Sequence, residues 1–562
     1  MVELFNRLKA TPWIAAQLLL ASLFANVLAL ASSLFVIQVL NRYVSYGVDA
    51  TLVTLVTGVL LAIALEACFR QARSILAQNA LGDEDKARAE GVFGLLIAAR
   101  ASAYDKVPSN FRRETTRGLE AVEQAYNGPN VAAVLDVPFA LMFVLALALL
   151  HPVLGLVTAV FVGGVFAFSL MSARQLKGPT AQLAEAGAES QALVATADRA
   201  ADTVRAFNGQ DHMMERWLKA ADKRRGLRLL VSDRQGVSQQ VTQSAQAIMG
   251  VAVITAGALL VVAGQLDVGV MVGANILAGR ALGPIIKFAQ LQETFAKARE
   301  ALARARQLAQ IPVEADSGAT LKAYKGTLEF RDIAFGFDGG AAPLYESLTL
   351  KLEPGSVLVV TGRNGSGKTT LARLIMGLIE PTRGQILVDG VDLRQVLPGW
   401  WRRQVTYLPQ EPLFLNGTIR DNLMAANPDT DEDKLDAALD AAALGEFIDE
   451  SPEGLDQPLE NNGLNLALGI RRRLAIARAL VTDGRLVVFD EPTEGLDDIA
   501  RKAVYAVLKR LAEDGRTIIA LSTDPHLLRA AGTILDLNTK PVPTVVSQTV
   551  LDELKRRAEA NG

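Results

Sequence analysis

The sequence predicts two bodies of different class: an α-helical membrane domain of six spans, followed by a soluble α/β domain built around a phosphate-binding loop. Three observations carry that expectation. Half of the 562 residues are hydrophobic while 21% are charged, and the long apolar runs all fall before about residue 290. From about residue 325 onward short apolar runs alternate with charges, as in a soluble α/β fold. A complete G-x-x-x-x-G-K-[ST] motif then lies between a β-type run and a helical one.

The spans follow from length. A hydrocarbon core about 30 Å thick takes about 20 helical residues. Apolar runs at 13–39, 51–69, 131–150, 152–172, 246–265 and 268–290 meet that requirement, with a tight turn at His151-Pro152 parting the third from the fourth. The opening MVELFNRLKATPW places two basic residues ahead of the first run, as a signal peptide does. That run is too long for a signal core and lacks a small-residue cleavage site, so it reads as the first span.

Basic residues orient the spans. Between the second and third runs lie Arg70, Arg73, Lys86, Arg88, Arg100, Lys106, Arg112, Arg113 and Arg117, whereas Arg42 stands alone in the loop after the first. The connection from the fourth to the fifth adds Lys177, Arg199, Arg205, Lys223, Arg224, Arg225 and Arg228. Both long connections, the N-terminus and the soluble domain are therefore expected on the cytoplasmic side. Stretches such as GVFGLLIAAR and ERWLKAADKRRGLRLL have helical periodicity, so the connections are expected to be helical extensions. The expected organisation is a membrane domain over 1–300, a linker over 301–325 containing IPVEADSGAT, and the soluble domain over 326–562.

Charge and cysteine content exclude several classes. Lys and Arg total 57 against 60 Asp and Glu, a formal net charge of -3, which supplies no basic field for nucleic acid. The single cysteine, Cys68, excludes a disulfide scaffold and a cysteine metal site. Four charges fall in or near the spans: Glu66, Asp136, Arg280 and Lys287. Glu66 is expected to pair with Arg70 one turn later, Asp136 to lie near the start of its span, and Lys287 to snorkel. Arg280 is the candidate to face a cavity or a partner helix.

The chemistry is concentrated in TGRNGSGKTTLARLIMGL, which follows the run SVLVV. Gly362, Gly365, Gly367, Lys368 and Thr369 fill the motif, and Asn364, Ser366 and Thr370 complete the loop. Glycines let backbone N–H groups wrap phosphate oxygens, and the following helix N-terminus adds its dipole. Lys368 supplies a point charge, and Thr369 offers a hydroxyl to Mg²⁺. Farther on, RLVVFDEP reads as a strand ending in Asp490 and Glu491. A carboxylate at that tip suits Mg²⁺ through a water, and the next can orient or deprotonate an attacking water. The two motifs together point to nucleotide hydrolysis.

These residues resemble the ATP-binding cassette (ABC) exporters over essentially the whole chain. Gln410, in VTYLPQEPLFLNGTIRDNL, resembles the glutamine that links Mg²⁺ and water to the membrane domain; Gly495, Leu496 and Asp497 resemble the D-loop; and RRRLAIARAL resembles the helix after the signature. Phe337 aligns with the aromatic that stacks on adenine. The resemblance implies a six-span membrane domain of ABC exporter type plus a cytoplasmic P-loop nucleotide-binding domain, with ATP and Mg²⁺ as cofactors. It also implies a second half-transporter, the same chain or a different one, because each ATP lies between one phosphate loop and the other subunit's signature. LFVIQVLNRYVSYGVDATL, LDVPFALMFVLALALL and GANILAGRALGPIIKFAQ resemble the type I protein-secretion branch. That implies export of an unfolded polypeptide across a bacterial inner membrane, with a membrane-fusion protein and an outer-membrane channel as partners. No soluble sequence precedes the first span, so the peptidase-like domain of some relatives is expected to be absent. The rival expectations are an exporter of lipid, peptide or drug, and a poorly hydrolysing regulatory half of a mixed dimer.

Two departures weigh on catalysis. The family signature LSGGQ reads here Leu466-Ala467-Leu468-Gly469-Ile470, so Ala467 replaces the serine that would bond the γ-phosphate. Losing one hydrogen bond to a charged group costs about 1.5–3 kcal/mol. Thr523 stands at the switch position where the family has histidine, and His526 follows three residues later. Threonine donates one hydrogen bond there but carries no charge. Ala467 and Gly469 remain the signature positions that face nucleotide, and Thr523 takes the switch role beside Glu491 and Gln410. A pair of identical chains would carry both changes in both sites, and slow hydrolysis is expected.

Overall fold

The computed structural model describes residues 2–337 and 342–547, without the side chains of Val2, Ala80, Leu81 and Ser547. It divides into two compact units, Met1–Ala99 with Tyr104–Pro312 and Arg100–Ala103 with Val313–Gly562.

In the first unit six helices among the described residues are long and apolar enough to cross a membrane: Pro12–Tyr46, Asp49–Ala98, Gly128–Leu150, Pro152–Arg199, Gln210–Val262 and Val268–Leu308. Each contains one of the expected runs, except the fifth, which ends within its run. Leu61, Leu141, Leu149, Val160 and Val262 remain exposed on them, as apolar side chains facing lipid do. The charged connections are mostly continuations of these helices, the second running unbroken from Asp49 to Ala98 and the fifth from Gln210 to Val262. That fifth helix stops short of the expected residue 265, because Gly264 turns left-handed at φ +68°.

Local chemistry sets the breaks. Pro138 divides the third span into Gly128–Asp136 and Phe139–Leu150, since proline cannot continue the backbone ladder. Pro152 instead opens the fourth helix, where its missing N–H costs nothing, and His151 Nδ1 accepts from Val153 N at 3.3 Å as the cap. The sixth helix lies against the first at Gly273, where a Cβ would stand 2.3 Å from Ile37 Cγ1.

Three of the four membrane charges, Glu66, Asp136 and Arg280, have ion-pair partners. Glu66 pairs with Arg70 at 2.6 Å, as the spacing predicts, and Lys287 is exposed near the end of Val268–Gln290. Arg280 turns toward the first two spans, with Ser32 Oγ and Glu66 Oε1 each at 3.5 Å. Asp136 closes a buried network that the sequence pattern does not reveal. Arg73 holds it at 2.6 and 3.2 Å, Asn26 donates to it at 2.8 Å, and Ser22 accepts from Arg73 at 3.1 Å. A half-buried carboxylate at this depth is stabilised by such neutralising donors.

The second unit is built on a six-stranded sheet of β12 (Thr544–Ser547), β11 (Thr533–Asp536), β3 (Val357–Thr361), β10 (Thr517–Leu521), β9 (Leu486–Asp490) and β6 (Val405–Leu408), in that order across the sheet. All neighbours are parallel except β11 and β12. Strand side chains alternate between two cores: Val487 and Phe489 pack on one face of the sheet, Leu486 and Val488 on the other. A sheet buried on both faces explains the near-continuous apolar runs LVVF and TIIAL. A separate antiparallel sheet, β2-β1-β4-β5, comprises Tyr345–Leu352, Leu328–Phe335, Arg383–Val388 and Val391–Asp392.

Candidate nucleotide site

The site gathers at the carboxyl ends of four neighbouring parallel strands, where open α/β sheets bind ligands. β3 runs into the phosphate loop, β6 leads to Gln410, β9 ends in Asp490 and Glu491, and β10 leads to Thr523. Register fixes their relative height: Leu521 pairs with Asp490, and Leu408 with Phe489.

The loop conformation requires its glycines. Gly365 and Gly367 have φ of +80° and +109°, and a Cβ on Gly367 would lie 2.5 Å from Leu344 Cδ2. The helix Lys368–Ile375 begins at once, directing its free N–H groups and dipole at the loop. Arg363, Asn364, Gly365, Gly367, Lys368, Thr369, Thr370 and Gln410 line a groove of about 390 Å³ together with Phe337 and Leu344. Phe337 is 61% exposed, and its ring meets that of Phe335 at 5.2 Å with the two planes nearly perpendicular. Gly362 and Ser366 support the loop from behind: a Cβ on Gly362 would meet Ser366 Oγ at 2.3 Å.

Charge in the groove is held ready. Lys368 Nζ donates to Gly362 O at 2.7 Å and lies 3.1 Å from Glu491 Oε1. Glu491 occupies the left-handed region at φ +47°, unusual for a residue with a side chain, and its N–H is fixed by Leu521 O at 2.8 Å. Asp490 is 1% exposed; neither carboxylate oxygen makes a hydrogen bond of standard geometry, and the nearby Thr369 hydroxyl and Lys368 charge only partly offset its burial. Burial raises its pKa to about 6, and the adjacent Glu491 charge adds to the shift.

That buried carboxylate is a direct test of fit for a cation. Thr369 Oγ1 donates to Gln410 Oε1 at 3.1 Å, so hydroxyl, amide and carboxylate oxygens are assembled around the loop. Hard oxygens of this kind suit Mg²⁺, which keeps several waters and takes few protein ligands.

The remaining candidates lie elsewhere. Ala467 stands at the N-cap of the helix Leu468–Val481 and offers no side-chain cap, whereas a serine there would satisfy a first-turn N–H. Gly469 faces open space, and Leu468 beside it is 47% exposed. Neither Ala467 nor Gly469 lines the groove of its own chain. Thr523 is exposed just beyond β10. His526 rests against Tyr505, ring centroids 5.5 Å apart, and Tyr505 donates to Asp524 at 2.6 Å.

Two supports of the loop escaped the motif reading. Lys540 Nζ donates to Leu344 O and, at 3.0 Å, to Ser366 O, while Asn538 Oδ1 accepts from Arg363 N at 2.8 Å. Both come from sequence about 170 residues away, and no local pattern announces them.

Six membrane helices and a phosphate-loop sheet on one chain define an ATP-driven membrane transporter. Residues 345–494 match the ABC transporter family model and residues 16–284 the ABC transporter transmembrane region, so the chain belongs to the ABC transporters and is an ABC-type ATPase coupled to transport. It is 28% identical over 507 residues to the toxin RTX-I translocation ATP-binding protein of Actinobacillus pleuropneumoniae, covering 90% of this chain and 72% of that one. Over 528 residues it is 28% identical to the alpha-hemolysin translocation ATP-binding protein HlyB of Escherichia coli O157:H7, covering 93% and 74%. A solved bacterial Atm1-family ABC exporter with ATP bound has the same fold, with a TM-score of 0.80 at 20% identity over 97% of this chain and 96% of that chain.

Proposed function

We propose that this chain is the ATPase and permease of a type I secretion system, exporting an unfolded polypeptide across a bacterial inner membrane. The observation that carries the reading is the similarity to toxin and hemolysin translocation proteins, which extends through both the membrane and ATPase halves. In this reading 1–300 form the transmembrane domain, 301–325 the linker and 326–562 the ATP-binding domain. The N-terminus and ATPase face the cytoplasm. Two copies form the working unit, joined by a membrane-fusion protein and an outer-membrane channel.

The chemistry follows from the groove. Backbone N–H groups of Gly365 to Thr369 bind the phosphates, and Phe337 stacks on the adenine. Lys368 exchanges Glu491 for phosphate oxygens as ATP enters, which frees the Glu491 carboxylate to orient and deprotonate water. Thr369, Gln410 and Asp490 would hold Mg²⁺. When bound, that ion neutralises charge developing between the β and γ phosphates. The second subunit presents Ala467 and Gly469 to the γ-phosphate, and Thr523 donates a single hydrogen bond. Closure of the two ATPase domains drives the membrane helices, and hydrolysis resets them.

The test is export by cells carrying this chain with its membrane-fusion protein and outer-membrane channel. Glu491→Gln abolishes secretion in this reading, whereas secretion by that variant at the unmutated rate overturns it. A second reading is a weakly hydrolysing half of a mixed dimer, favoured by Ala467, Leu468, Ile470 and Thr523. Co-purification with a chain carrying an intact signature would establish that reading.

A further inference from the structure

Resting on the ATP-site reading above, we propose that Glu494 is a positioning residue for the metal ligand Gln410, and that Arg472 holds Glu494 in place. A glutamine amide has two ends of nearly equal size and opposite hydrogen-bonding character. Only the oxygen end serves a cation. Here Gln410 Oε1 accepts from Thr369 Oγ1 at 3.1 Å, while Nε2 donates to Glu494 Oε2 at 3.2 Å. An ionised carboxylate accepts and never donates, so Glu494 admits only the NH₂ end and turns the oxygen toward Thr369. A hydroxyl or amide at residue 494 would accept or donate and leave the flip undecided.

Glu494 is itself tethered. Its side chain is 52% exposed, but Oε2 lies 3.6 Å from Nη2 of Arg472, whose side chain is only 13% exposed. Gly495 makes room for that guanidinium: at φ +66°, a Cβ would sit 2.7 Å from Arg472 Nη1. Arg472 belongs to the helix Leu468–Val481, which begins at the altered signature. A continuous polar path therefore runs from the signature helix through Arg472, Glu494 and Gln410 to Thr369. The same path lets movement of that helix change how well the metal position is formed, an outer-shell role in metal binding.

The test uses the full-length protein in lipid, with Glu491→Gln as parent to stop turnover, and a fluorescent ATP analogue titrated with and without Mg²⁺. Glu494→Ala is expected to raise the half-saturating Mg²⁺ concentration about tenfold, and Glu494→Gln about threefold, with analogue affinity in EDTA unchanged. Arg472→Met shifts the same midpoint in the same direction but less, and adding it to Glu494→Ala produces no further shift. Thermal melting of the metal-free variants supplies a readout independent of the ion, with the same non-additivity between residues 472 and 494. An unchanged Mg²⁺ midpoint in both Glu494 variants overturns the proposal, as does an equal loss of affinity in EDTA. Failure of the parent itself to bind the analogue overturns the ATP-site reading, and this inference with it.

Discussion

The phosphate loop and the signature helix belong to one ATPase unit and are expected to meet the same nucleotide from opposite subunits, yet they are built to different standards. Around the loop Lys368 is paired, Gly365 and Gly367 take conformations that other residues rarely adopt, and the Asp490 carboxylate is buried among hard oxygens with no hydrogen bond of standard geometry. At the signature, Ala467 offers no cap, Gly469 faces open space and Leu468 is exposed. In the proposed reading the chain keeps the half-site that would bind nucleotide and polarise water, and lacks side-chain contacts that the other half-site would add. Nucleotide binding with slow turnover is the outcome this division predicts, because the phosphate loop and the oxygens of the proposed metal position belong to the intact half.

The largest effect separates the halves. Lys368→Ala is expected to lower ATP turnover more than about 100-fold, since the cation at the start of the phosphate-loop helix is lost from the proposed transition state. Ala467→Val changes turnover less than about threefold, because no side-chain hydrogen bond remains there to lose. Steady-state phosphate release by the two variants measures both. Next in size, restoring the signature with Ala467→Ser, Leu468→Gly and Ile470→Gln raises turnover about tenfold, the return of one charge-assisted hydrogen bond. No gain would move the limiting step to the phosphate-loop side.

A pH dependence sharpens the account of the loop. The Asp490 pKa is raised in the folded chain, so the stability it contributes is present below pH 4 and lost as pH rises through about 6. Asp490→Asn should therefore stabilise the metal-free protein by about 3 kcal/mol at pH 8 and by far less at pH 4, as read by melting. Mg²⁺ binding to the unmutated protein should weaken about tenfold per unit below pH 6, because the ion must displace that proton. The smallest contrast concerns two glycines. Gly367→Ala meets Leu344 at 2.5 Å from a left-handed backbone and lowers the melting temperature, whereas Gly469→Ala, with nothing within 4 Å, leaves it within about 2 °C.

Much of this was legible in the sequence because the signals are local. Six apolar runs located six helices, and the motif with its neighbouring strands placed Lys368, Thr369, Asp490 and Glu491 at one sheet edge. What stayed hidden depends on contacts between distant segments. The pairing of Arg73 with Asp136 spans 63 residues, and the support of the phosphate loop by Asn538 spans 175. No local pattern singles out Glu494, which meets Gln410 across 84 residues because β6 and β9 are neighbours in the sheet. The early end of the fifth helix reflects Gly264, whose left-handed turn overrides an apolar pattern that runs past it.

The most direct test of the central claim, an intact catalytic half working with an altered signature, is ATP turnover by the purified protein in lipid. Glu491→Gln serves as the blank, and subunit composition is determined on the same sample. The account predicts slow turnover by a dimer of this chain alone, abolished in the blank. ATP binding with no turnover above the blank would contradict it.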